Sequence, residues 1–289
     1  MAEITTENIK KLREITGAGI MDCKKALSKA EGDFEKAQEI LRQKGAEKAE
    51  KKKDRATNSG LVKTLVNEKG GVIIEVNCET DFVASNEEFK AMTDEIAKDL
   101  IELDEKDVNI ETMPAEAKEK VNGRVTALIG KIGENMSLKR CLKFAVPENG
   151  MIKSYVHMGG KIGVLISLTS TAEAIKAPET AELAKDLTMQ IAAQAPKRIC
   201  RECYTAEELE KQKKLIQELA AEENPKKPAN IVERIANGKL EKFFEAECLV
   251  DQLFIKDPSK KVSELIKEVS KKVGGEIKVE RFVRYCLGE

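Results

Sequence analysis

Apolar positions along this chain change rhythm repeatedly, from a helical period of three to four residues to short β-branched runs, and each change marks an element boundary. The first 50 or so residues carry three helical stripes: Ile9, Leu12 and Ile15; Cys23, Ala26, Leu27 and Ala30; Phe34, Ala37, Ile40 and Leu41. Glycines at 17, 19, 32 and 45 punctuate them, so the pattern predicts three short helices that bury one another. The mixed charges from Lys48 to Arg55 read as a solvated helix or linker. From Gly60 to about Val146 the order is hairpin, helix, helix, strand. Val72 to Val76, bounded by Gly70-Gly71, reads as a largely buried strand. Asn86 is a good cap for a helix with Phe89, Met92, Ile96 and Leu100 on one face, and a second helix carries Val121, Val125, Leu128, Ile129 and Ile132. Asp104 to Pro114 is a polar connection between them, Leu138 to Val146 reads as a strand, and Pro147-Glu148-Asn149-Gly150 is a turn.

The pattern then repeats. Gly60 to Asn67 is echoed by Gly150 to His157, each followed by a glycine pair, an apolar strand (Val72 to Val76; Ile162 to Ile166) and a helical stretch, so the chain reads as internally duplicated. Pro178 opens a helix with Leu183, Leu187 and Ile191 inward, ending before Pro196. Thr205 to Glu208 forms a capping box ahead of Leu209, Gln212, Ile216 and Leu219, and after Asn224 to Pro228 a second helix returns with Ile231, Ile235 and Phe243. Their thin apolar seam predicts an antiparallel coiled hairpin. The tail runs from Asp257-Pro258-Ser259 into a helix with Val262, Leu265, Ile266 and Val269, breaks at Gly274-Gly275, and ends β-rich over Ile277 to Tyr285. The fold class is α+β, with helices on antiparallel strands.

Composition narrows the function. A length of 289 residues suggests roughly two domains, and 41% apolar residues suffice for buried cores. Fifty basic and 51 acidic side chains give a formal charge of -1, which argues for protein partners and against nucleic acid. No apolar leader or span-length run is present, so a soluble cytoplasmic protein with no membrane contact is expected. Seven cysteines, an odd and scattered set, do not suggest a disulfide framework. Cys200-Arg201-Glu202-Cys203 has the spacing of a redox pair or half a zinc site, but no second pair or thioredoxin-like context accompanies it, and chance placement on a helix is the better account of the spacing. There is one histidine, His157, and no phosphate loop, dinucleotide fingerprint or nucleophile elbow. Neither catalysis nor a cofactor or metal is expected.

The most informative stretch is Glu75 to Ala84, where the strand gives way to Thr80-Asp81-Phe82-Val83. Phe82 either folds back as core beneath its own loop or faces a partner. The duplication bears on the choice, because Thr169-Ser170-Thr171 stands in the second copy where Thr80-Asp81-Phe82 stands in the first. One copy thus carries an acid and an aromatic where the other has small hydroxyls, as expected of a specialised loop.

The string Glu75 to Val83, with Leu12 to Gly19, Lys131 to Asn135 and His157 to Leu165 in order, resembles the bacterial translation elongation factor Ts family over essentially the whole chain. Glu79 stands where that family commonly has glutamine, and Ser85 where it often has a basic residue. The resemblance implies a guanine nucleotide exchange factor whose partner is elongation factor Tu. It implies a ubiquitin-associated-like helical domain over residues 1–54, core subdomains over 55–146 and over 147–198 with 241–275, a protruding coiled-coil hairpin over 199–240, and a C-terminal module over 276–289. It places Thr80, Asp81, Phe82 and Val83 in a loop that disturbs the partner's magnesium site, with Ile20, Met21, Lys24, Ile132, Gly133 and His157 as further partner contacts. Read from residues alone, Ile20 and Met21 are bundle core and His157 a structural strand residue, although two adjacent side chains of one helix cannot both point inward. The hairpin is either a dimer contact, giving a homodimer or a 2:2 complex, or a lever positioning the core. Two rival classes remain: an enzyme using Cys200 and Cys203, and a structural dimer indifferent to nucleotide.

Overall fold

The protein is described over residues 5–289 by a computed structural model, and the described residues divide into two compact units: 5–145 with 156–163 and 285–289, and 146–155 with 164–284. It mixes helices with antiparallel strands, the α+β class its pattern predicts.

The first unit opens with α1 (Thr6–Thr16), α2 (Ile20–Lys29) and α3 (Phe34–Glu50). Thr5 and Asp33 cap α1 and α3 by accepting from the backbone N–H of Asn8 and Lys36, and Gly17 ends α1 in the left-handed region at φ 67°. Leu12, Cys23, Ala26, Leu27, Ala30 and Ala37 make their shared core. Ile15, expected within it, is exposed, because the inward line of α1 runs through Ile9, Leu12 and Thr16, whose hydroxyl meets the Cys23 thiol, and leaves Ile15 to one side. The charged segment from Lys48 to Arg55 is mostly exposed, but Lys48 at its start and Lys44 before it turn back onto α2. Lys44 and Lys48 meet Asp22 at 2.5 and 3.2 Å and, with the Lys44 hydrogen bond leading, hold its carboxyl below the usual carboxylate range.

The sheet follows, with β1 (Ser59–Asn67) and β2 (Gly70–Cys78) as a hairpin, then a one-turn helix α4 (Asp81–Ala84) and α5 (Glu87–Ile101). Next come β3 (Asp107–Asn109), α6 (Ala115–Ile132) and β4 (Met136–Phe144). The strands are ordered β1-β2-β4-β3, all antiparallel. β3 lies inside the stretch expected to be a polar connection. Its single buried residue, Val108, is too short a signal for periodicity to register. β2 is central and buried along all nine residues, which explains its unbroken apolar run.

One of those nine residues is Glu75, fully buried. It stands directly across from Arg140 of β4, at a β-bulge between Glu75 and Val76. Arg140 Nε donates to Glu75 Oε2 at 2.6 Å, its Nη2 donates to the Cys286 carbonyl at 2.9 Å, and its guanidinium lies 4.2 Å from the centre of the Tyr285 ring. A buried carboxylate is tolerable here because a charged, planar donor answers it.

The second unit comprises a three-stranded sheet ordered β5-β6-β9, from β5 (Gly150–His157), β6 (Ile162–Thr169) and β9 (Lys278–Cys286), together with α7 (Pro178–Gln194), α8 (Ala206–Glu223), α9 (Ala229–Glu247), a short ribbon of β7 (Leu253–Phe254) and β8 (Asp257–Lys261), and α10 (Val262–Val273). The last few residues of β5, the first two of β6 and the end of β9 count with the first unit. Buried Leu183, Leu187 and Ile191 form the inward face of α7, and Thr205 with Glu208 makes the expected capping box on α8. α8 and α9 pack through Ile216, Ala220 and Ala236. Ile235 and Phe243 pack against that seam as expected, together with Val232 and Leu240, whereas Leu219 and Ile231, also expected in it, are exposed because the neighbouring positions Ala220 and Val232 face the partner helix instead. Among the described residues no helix is long and apolar enough to cross a membrane.

Candidate functional site

The strand β2 ends at Cys78, and two residues later the chain turns into α4. Thr80 is the N-cap of that single turn, its hydroxyl accepting from the Val83 N–H. A four-residue helix has only two faces to offer, and successive side chains diverge by about 100°. Val83 and Ala84 both point into the core beneath, at 7% and 8% exposure, while Phe82 points out at 84%; like Ala26 and Leu27 on α2, they show that two adjacent side chains of one helix can both face inward, against the expectation from sequence. Asp81 is exposed beside it. This corrects the expectation for Val83, grouped with its neighbours as a contact: it anchors the turn from below. Phe82 does not fold back beneath its own loop.

The turn is held from outside as well. Glu134, just after α6, accepts from the Thr80 N–H at 3.1 Å and from the Thr80 hydroxyl at 2.8 Å. In the reverse sense Glu79 accepts from the Asn135 N–H at 2.6 Å, and the Asn135 amide donates to the carbonyls of Lys53 and Arg55. The Cys78 thiol donates to the Thr80 carbonyl at 3.1 Å. Burial, assisted by Glu134, pushes that thiol up to about 12, so it stays a neutral donor. Two carboxylates, one amide and one thiol thus fix the backbone that presents Phe82.

The clamp brings the end of α6 to the turn. Gly133 ends that helix in the left-handed region at φ 88°, a conformation that costs other residues free energy, and its carbonyl accepts from Lys52 Nζ. Lys48 Nζ donates to the Gly130 carbonyl at 3.3 Å. Two lysines thus sit on the carbonyl end of α6, where the helix dipole favours them. Ile132 is half-buried against the sheet's core.

The remaining candidates lie elsewhere on the first unit. Ile20 and Met21, at the start of α2, are 54% and 62% exposed, and Lys24, one turn on, is exposed. The bundle core of α2 is Cys23, Ala26 and Leu27, so neither Ile20 nor Met21 serves as core. His157 closes β5 ahead of a tight turn in which Met158 and Gly159 take positive φ. Its carbonyl accepts from Gly160 and Lys161, and the Gly160 carbonyl accepts from the Val62 N–H at 2.7 Å, which ties the turn to β1. His157 and Met158 are exposed. Among the described residues no group of three or more His, Cys, Asp or Glu side chains is placed to hold a metal ion.

The family described as Elongation factor TS matches residues 79–289, beginning at the clamp residue Glu79. The chain is also 44% identical over 291 residues to the Elongation factor Ts of Clostridium botulinum (strain Alaska E43 / Type E3), covering 99% of this chain and 93% of that one. The chain belongs to the elongation factor Ts family. The Elongation factor Ts of Clostridium perfringens (strain SM101 / Type A) is 44% identical over 294 residues, and that of Clostridium kluyveri (strain NBRC 12016) 42%, each across 99% of this chain and 93% of theirs.

Glu79, Glu134 and Asn135 stand in the motifs noted from sequence but were not among the candidate site residues. Glu134 reaches Thr80 across 54 positions, a pairing that no local spacing announces. The available signal was the pair Glu134-Asn135 directly after the glycine that stops α6, polar residues at a position where the chain turns back into a strand.

Proposed function

We propose that the turn at Asp81 and Phe82 is the part of this chain that opens the nucleotide site of its partner. The chain is a guanine nucleotide exchange factor for elongation factor Tu in translation elongation. A protein that binds the nucleotide-free partner more tightly than the GDP-bound one must weaken GDP by the same factor, because the coupling is reciprocal. The observation that carries the reading is the 84% exposure of Phe82 on a turn whose every other restraint faces inward or is hydrogen-bonded. An exposed aromatic on a rigid mount pays little conformational entropy on docking. Inserted between helices near the partner's magnesium site, Phe82 holds them apart, and Asp81 disturbs the hydrogen bonds around that ion. A diphosphate whose charge is less well neutralised leaves faster.

Ile20, Met21 and Lys24 on α2, Ile132 and Gly133 behind the clamp, and His157 at the β5–β6 turn are the supporting contacts in this reading. Two adjacent apolar side chains left outside the bundle core support the first group. The finer architecture is of a piece with it: a ubiquitin-associated-like domain over 1–54, core subdomains over 55–146 and over 147–198 with 241–275, a coiled-coil hairpin over 199–240, and a C-terminal module over 276–289. The self-contained core of α1 to α3 supports the first division. Exposed Leu215, Leu219 and Ile231 on α8 and α9 favour a homodimer or a 2:2 complex through the hairpin.

The direct test is release of labelled GDP from elongation factor Tu with and without this chain. Acceleration is expected, and equal rates would overturn the reading. The clamp gives a second expectation. Glu134→Ala removes both bonds to Thr80 and loosens the mount at a cost of about 1–2 kcal/mol, roughly five- to thirtyfold in exchange rate. Glu134→Gln, which keeps an acceptor, recovers part of the loss. Stopped-flow exchange at matched circular dichroism decides it, and wild-type rates in Glu134→Ala would show that the clamp does not set the turn.

A further inference from the structure

We infer that Cys200 and Cys203 form a modification site, a dithiol set to close into an intrachain disulfide on meeting a small-molecule disulfide. Their Sγ atoms lie 3.0 Å apart, on opposite ends of a short 3-10 turn, Arg201–Cys203, in which the Cys203 N–H donates to the Cys200 carbonyl at 3.2 Å. The sequence favours chance placement on a helix as the account of this spacing, and the structure corrects it. The turn is not part of an α-helix, and it faces the two thiols toward each other.

The turn is also immobilised from both sides. Arg201, between the cysteines, donates to both carboxylate oxygens of Asp251 at 2.8–3.1 Å and to both of Glu241 at 2.7 and 2.9 Å, and lies 4.4 Å from the centre of the Phe244 ring. Tyr204, next in sequence, packs on Phe243 and Phe244 at centroid distances of 5.8 and 6.4 Å. Closing the bond therefore needs no search of the backbone, which is the condition that decides whether two cysteines can be bridged.

Access singles out one member of the pair, Cys203. Cys23, Cys78, Cys141 and Cys248 are buried, Cys200 and Cys286 are half-buried, and Cys203 is exposed. Burial, then the hydrogen bonds to Cys203 and Glu202, push the Cys200 thiol up to about 12, so Cys203 is the point of entry and Cys200 the resolving thiol. Two thiols alone are half of a structural zinc set, and no third ligand stands with them among the described residues.

The electron balance is that of thiol–disulfide exchange. The Cys203 thiolate attacks one sulfur of oxidised glutathione, its proton passes to solvent, and a glutathione thiolate leaves. Cys200 then loses its proton and attacks Cys203 Sγ, expelling the second glutathione thiolate. The chain gives up two electrons and two protons; the glutathione disulfide becomes two thiols.

The test uses the full chain, reduced and folded, incubated with oxidised glutathione and read by intact mass and peptide mapping. The expected product has lost two hydrogens, carries a single Cys200–Cys203 disulfide, and presents two fewer thiols to alkylation after denaturation. Cys200→Ser should stop at a glutathione adduct on Cys203, and Cys203→Ser should not react at this turn. A glutathione adduct that persists on Cys203 in the native sequence, a chain dimer linked through Cys203, or no reaction at the pair would each overturn the inference.

Discussion

Phe82→Ala should slow the GDP release that this chain promotes from elongation factor Tu by about thirtyfold or more, with no measurable loss of folding stability. The first half follows from how binding energy is distributed: an aromatic anchor seated in a partner's pocket costs about 2 kcal/mol or more when truncated, and each 1.4 kcal/mol is tenfold. The second half follows from position. Phe82 is 84% exposed and contributes almost no buried area to its own unit, so its removal takes nothing from the core that Val83 and Ala84 complete. Exchange kinetics beside urea denaturation separate the two effects. A Phe82→Ala chain that folds normally and exchanges normally would remove the turn from the mechanism.

Arg140→Met should cost about 3–5 kcal/mol of stability, since it strands a fully buried carboxylate. Glu75 is 0% exposed, and Lys139, at 3.4 Å from Glu75 Oε1, is a longer and more exposed partner that does not replace the 2.6 Å bond from Arg140. The same substitution removes the donor to the Cys286 carbonyl and the cation beside the Tyr285 ring. Adding Glu75→Met to Arg140→Met should recover most of the loss, because replacing both members of a buried ion pair by apolar groups is often neutral. Denaturant midpoints of the two single variants and the double form the cycle. A double variant no more stable than Arg140→Met alone would show that packing, not the orphaned charge, sets the cost.

What the sequence made legible depended on how far apart the interacting residues lie. Helices α5, α6 and α7 follow from their own stripes, with Asn86 and Pro178 marking the starts of α5 and α7, because a helix is decided by neighbours three and four positions away. The hairpin of β1 and β2 follows from the glycine pair and the β-branched run. β3 escaped because a three-residue strand has no period of its own; it exists by pairing with β4. The placement of Phe82 was undecidable locally, since one turn of helix has no pattern to read, and only the inward anchor at Val83 resolves it. The clamp at Glu134 and the cross-strand pair of Glu75 with Arg140 join residues 54 and 65 positions apart. No window along the chain contains both partners.

The first unit is closed by residues from the far end of the sequence. Arg140 holds the Cys286 carbonyl, Lys139 Nζ donates to a Glu289 oxygen at 2.7 Å, and the Leu287 N–H donates to the Lys161 carbonyl. During synthesis, therefore, the sheet that carries Phe82 emerges early and stays unfinished while the whole second unit is translated, with the charge pair under its central strand lacking one of its neighbours. The turn at Phe82 is already tied by Glu134 and Val83, whereas the Arg140 and Lys139 side of that sheet stays incompletely tied in the nascent chain until residues 285–289 arrive.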